Sequence, residues 1–69
     1  MPLNMAEKDK EYTIKRVGGL AETRTHLENL GFVVGGTVKV ISEMSGNLIV
    51  QVKEARIALS SELAQKIMI

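Results

Sequence analysis

The only imidazole in this chain is His26, and Glu22 stands four positions before it. On a helix that spacing puts a carboxylate and an imidazole on one face, where together they could hold a divalent cation. Two ligands on an exposed helix make a poor site, and no other ligand cluster is evident nearby, so His26 is read as a surface residue. Nucleophilic chemistry fares no better. Ser42, Ser45, Ser60 and Ser61 sit where turns and a helix cap want hydroxyls, and the one histidine lies on a different element. Cysteine is absent, which removes thiolate zinc sites, iron–sulfur clusters and a cysteine nucleophile. The glycines of Val33-Val34-Gly35-Gly36 lack a following Lys-Ser or Lys-Thr pair and lead into a strand, unlike a phosphate loop. No catalytic, cofactor-binding or metal-binding residue is assigned, and the chain is expected not to be an enzyme.

The elements that would position any site can be read from period and punctuation. Pro2–Met5 reads as a short extended segment with Leu3 and Met5 on one face, followed by a charged loop from Ala6 to Glu11. Tyr12–Val17 reads as a strand ended by Gly18-Gly19. Leu20, Arg24, Leu27 and Leu30 then recur at helical spacing, and Gly31 supplies a left-handed cap with Phe32 as the apolar contact beyond it. Two alternating runs follow, Thr37–Ser42 and Leu48–Lys53, joined through Ser45-Gly46-Asn47. A second turn is expected at Glu54-Ala55-Arg56 before Ile57–Leu59. Ser60 or Ser61 caps a helical turn over Glu62–Lys66, and Ile67–Ile69 closes the chain as a strand.

Sixty-nine residues allow one small domain spanning residues 1–69 and no deep cleft. Nine basic residues against eight acidic ones give a net charge of +1, not the basic stripe of a phosphate-backbone binder. Tyr12 and Phe32 are the only aromatic residues, too few for a base-stacking platform. No apolar run reaches the roughly 20 residues that span a bilayer, and the opening segment is charged where a signal peptide would be apolar. The expectation is a soluble cytoplasmic domain. About five short strands with one helix and a helical turn near the C-terminus suggest a mainly β, partly open barrel, since closure removes exposed edges.

Two surfaces are candidates for contact. The hairpin's outer face carries Thr37, Lys39, Ile41, Ile49, Gln51 and Lys53; Ile41 and Ile49 are read as closing the barrel rather than as a patch. More apolar side chains gather at the helix end and exit than one helical stripe requires. Leu27, Leu30, Phe32, Val33 and Val34 are therefore the expected partner-contact surface.

The order strand, Gly18-Gly19, helix with Arg24 and Leu27, then Leu30-Gly31-Phe32-Val33-Val34-Gly35 resembles the FeoA family of ferrous iron transport accessory proteins. Thr37–Val40 and Asn47–Val52 match that family's central hairpin, and Arg56–Leu59 with Ala64 and Ile67 its closing segment. The resemblance implies a Src-homology-3-like small barrel, no cofactor, and a membrane-bound FeoB-type ferrous iron transporter as partner. Contact would be with the transporter's cytosolic GTP-binding domain or its membrane portion, at the inner face of the membrane and without insertion. Similar barrels end iron-dependent repressors, whose DNA-binding domain this chain is expected to lack. The alternative reading is a small barrel that binds nucleic acid, since Gly36–Val40 resembles the strand entry of such modules, or a metal-responsive regulatory domain. Against nucleic acid, Lys8, Lys10, Lys15, Arg16, Lys39, Lys53 and Arg56 are interspersed with acids.

Overall fold

The computed structural model describes all residues from Met1 to Ile69. Six strands and two helices follow in order: β1 (Glu11–Thr13), β2 (Arg16–Val17), α1 (Ala21–Asn29), β3 (Thr37–Met44), β4 (Asn47–Val52), β5 (Ala55–Ser60), α2 (Ser61–Ala64) and β6 (Ile67–Met68). β1-β3-β4-β5 form one antiparallel sheet, and β2 pairs with β6 in a second, two-stranded one. The mainly β small barrel expected from the sequence is the fold observed, with its strand count raised to six.

The extra strand comes from a corner. Tyr12–Val17 is two strands, not one: Thr13 still pairs with Thr37, whereas Arg16 pairs with Met68 of the other sheet. Ile14 turns between them with its side chain fully buried. Past that corner the alternation restarts, with Arg16 exposed and Val17 buried. Pro2–Met5 is likewise not extended. Leu3–Met5 forms a 3-10 turn that buries Leu3 and leaves Met5 exposed, with Pro2 bridged to Met68.

The central hairpin is tighter than its sequence suggests. Its loop is Ser45-Gly46 alone, with φ of 51° and 79°, the primed turn that matches strand twist. Asn47 already pairs with Met44 in the ladder. The next loop is Lys53-Glu54, one residue earlier than expected, and Ala55 and Arg56 belong to β5. Val38, Val40, Leu48, Val50, Val52 and Leu59 point to the core, joined by Leu3, Ile14, Leu27, Phe32, Ala64 and Ile67. Ile41 lies at a register shift between Val40 and Ser42. Like Ile49 it is half-buried and outside the core, so neither closes the barrel. Ser60 caps α2, its Oγ accepting the Leu63 N–H at 3.2 Å.

The helix α1 is held almost entirely by its C-terminal end. Leu27 is its one fully buried residue, and Leu20, just before the helix, is 79% exposed and caps nothing with its side chain. The Phe32 N–H donates to the Leu27 carbonyl at 3.0 Å and the Gly31 N–H to Glu28 at 2.9 Å. This pair of bonds is the Schellman closure, with Gly31 at φ 109° and the buried Leu27 and Phe32 supplying its apolar contact. Substituting Gly31→Ala forces a side chain into that conformation. We expect a loss of about 1–2 kcal/mol, read as a drop in Tm of roughly 5–15 °C by thermal denaturation.

Candidate docking site

Downstream of Gly31 the chain makes one further tight turn before β3. The Gly36 N–H donates to the Val33 carbonyl at 2.9 Å, and Gly35, third in this turn, has φ 88°. A positive φ at that place calls for glycine. Gly36 is favoured for a different reason: a Cβ there would lie 3.0 Å from the Val33 carbonyl oxygen, which would have to shift. The turn is tied to the barrel through Ile14, whose N–H donates to Gly36 and whose carbonyl accepts from Gly35, both at 2.8 Å.

This architecture divides the expected contact residues into two groups. Leu27 and Phe32 are fully buried and form the core under the helix exit, so no partner can reach their side chains. Leu30 is half-buried against that core. Val33 and Val34 lie outside it, 36% and 67% exposed, on a backbone held at both ends by hydrogen bonds. Of the five residues, the part that can be touched is the Val33-Val34 turn with the half-buried Leu30 before it. Rigid presentation of apolar side chains lowers the entropy lost on binding.

The outer face of the sheet offers a second feature. Glu11, Thr37, Val38, Lys39, Gln51 and Lys53 line a shallow hollow of about 150 Å³. Four of these lie on the hairpin's expected outer face; Glu11 joins them because β1 pairs with β3, a non-adjacent pairing that periodicity does not reveal. Glu22 and His26 lie exposed on α1. No three His, Asp or Glu side chains converge. No helix is long and apolar enough to cross a membrane.

The FeoA domain model matches residues 1–69. The chain belongs to the FeoA family. A protein of Methanocaldococcus jannaschii, provisionally assigned as Fe(2+) transport protein A, is 31% identical over 68 residues, covering 99% of this chain and 83% of the relative. FeoA of Stenotrophomonas maltophilia, crystallised with zinc, superposes with a TM-score of 0.87 at 26% identity, over 99% of this chain and 87% of that one. That protein is described as a prokaryotic SH3 domain protein and put forward as a ferrous iron transport activating factor. ScaR with bound Cd2+ shares the barrel at a TM-score of 0.84 and 28% identity, over 97% of this chain but 32% of ScaR. The resemblance read from the helix exit and hairpin is therefore a true kinship.

In this FeoA domain, adding a methyl group at Gly36 should push the Val33 carbonyl away and disturb both Ile14 bonds. Gly36→Ala is expected to cost about 1–3 kcal/mol, the usual range for overpacking. The largest amide shifts should fall on Ile14 and on Val33–Gly36 in a ¹⁵N spectrum.

Proposed function

We propose that this chain is a cytoplasmic, non-catalytic accessory module of ferrous iron transport that docks on a FeoB-type GTP-binding transporter. Kinship with the FeoA family along residues 1–69 carries the reading, and the relative bearing the Fe(2+) transport name agrees with it. The physical features fit a binding module. The one shallow hollow on the sheet is lined by ordinary charged and polar side chains with no nucleophile–base pair among them.

Contact is made through the Val33-Val34 turn, and it is apolar rather than ionic. Burying a valine is worth about 1.5 kcal/mol, so the two side chains anchor a contact whose remaining affinity must come from the surface around them. A net charge of +1 supplies little long-range steering, and the association should depend only weakly on salt. The transporter's nucleotide cycle or assembly is the property such a reversible contact would change.

Val34→Asp tests the surface without touching the core, because the side chain is 67% exposed. Binding to purified transporter should weaken by at least about tenfold, as expected when a central contact is lost, while the Tm stays unchanged. Equal affinity for folded wild-type and Val34→Asp protein would remove this turn as the contact. Raising salt from about 0.1 to about 0.5 M should leave Kd within about threefold. A steep salt dependence would instead mark the contact as ionic and contradict this reading.

A further inference from the structure

We propose that the outer edge of β5 accepts an extended, acid-bearing peptide segment as an added strand, through the backbone groups of Arg56 and Ala58. The strand order leaves β5 with β4 on one side and no strand on the other. The Lys53-Glu54 loop closes on Val52 and Ala55, and pairing continues through Val50 with Ile57 and Leu48 with Leu59. Hydrogen bonding alternates along an antiparallel pair, so Ala55, Ile57 and Leu59 bond to β4. The N–H and C=O of Arg56 and Ala58 point away from the sheet. None of the backbone hydrogen bonds formed outside regular elements ends on either residue, and both residues are exposed.

Apart from Arg56, β5 carries none of the usual guards of a sheet edge. Ala55–Ser60 contains no proline and one charge, Arg56, while the sheet's irregularity lies in β3, away from the edge. The other edge, β1, is only three residues long. A six-residue strand with only that guard is a template for strand addition, in which backbone bonds supply the affinity and alternate side chains the selectivity.

Charge names the occupant. Glu11, Lys39, Gln51 and Arg56 form one cross-strand row on the outer face. Glu11 faces Lys39, but Arg56 has neutral Gln51 on its inner side and an empty position on its outer side. A carboxylate placed there completes a favourable cross-strand pair. A second copy pairing through its own β5 supplies none, since an antiparallel β5 pair sets Arg56 opposite Ala58 or opposite another Arg56, and its other edge, β1, is only three residues long. The occupant is therefore a segment of a different protein. This inference is independent of the Val33-Val34 contact and survives its failure.

The test is a ¹⁵N amide titration with a capped synthetic peptide of alternating valine and glutamate, run beside a valine–lysine counterpart. Arg56 and Ala58 should shift most, and their deuterium exchange should slow as the glutamate peptide is added. The glutamate peptide should bind about fivefold more tightly than the lysine one. Ala58→Pro removes an outward N–H that the β4 ladder does not use, so it should abolish binding while the Leu48 and Leu59 amides stay in place. Arg56→Glu should reverse the peptide preference, which decides the matter even if the proline variant fails to fold. Shifts centred elsewhere, equal affinity for the two peptides, or broadening at Arg56 and Ala58 that grows with protein concentration and no peptide would each overturn the proposal. The last result would assign the edge to a second copy.

Discussion

Ile14 is the joint on which the structure depends. Its side chain is wholly buried, and its two backbone groups both bond to the Gly35-Gly36 segment. It sits at the corner where the chain leaves the four-stranded sheet for the two-stranded one. An orphaned backbone group at a buried corner would cost about 1–3 kcal/mol, so the loop that satisfies Ile14 is as much a part of the core as any strand. The helix exit is consequently fixed at both ends, by the Schellman closure at Gly31 and by the Ile14 ladder. A two-valine turn that would otherwise be mobile becomes a rigid feature of the surface.

That arrangement accounts for the odd character of α1. A nine-residue helix with one fully buried side chain and no side-chain N-cap has little stability of its own. It persists because its last turn is welded to the barrel through Leu27, Leu30 and Phe32. Its glutamates, Thr25 and His26 are then free of structural duty and face solvent. Apolar surface is left over at the helix exit, where Val33 and Val34 lie outside the core. FeoA kinship gives that surface its setting in ferrous iron transport.

Much of this was legible in the sequence where local signals were strong. Gly31 with Phe32 located the helix end correctly because left-handed closure needs glycine and an apolar neighbour. The alternation of Leu48, Val50 and Val52 assigned the core face of β4 correctly. Long-range effects were hidden. Nothing local marks Ile14 as a corner, since the bonds that make it one come from residues 35 and 36. Loop boundaries slipped by one residue because Ser45 and Lys53 adopt positive φ that their residue types do not advertise. At the helix exit, hydrophobicity alone could not separate Leu27 and Phe32, which build the core, from Val33 and Val34, which lie outside it. Only packing distinguishes an apolar residue that supports a surface from one that forms it.

The account stands or falls on where a transporter touches this barrel. An amide-resolved titration of the ¹⁵N-labelled protein with the cytosolic GTP-binding domain of the cognate FeoB-type transporter measures that directly. Shifts or broadening confined to Leu30–Gly36, with Ile14 following as the residue bonded beneath the turn, are the predicted result. A spectrum unmoved at high partner concentration, or one perturbed only on α1 or the outer sheet face, would contradict it.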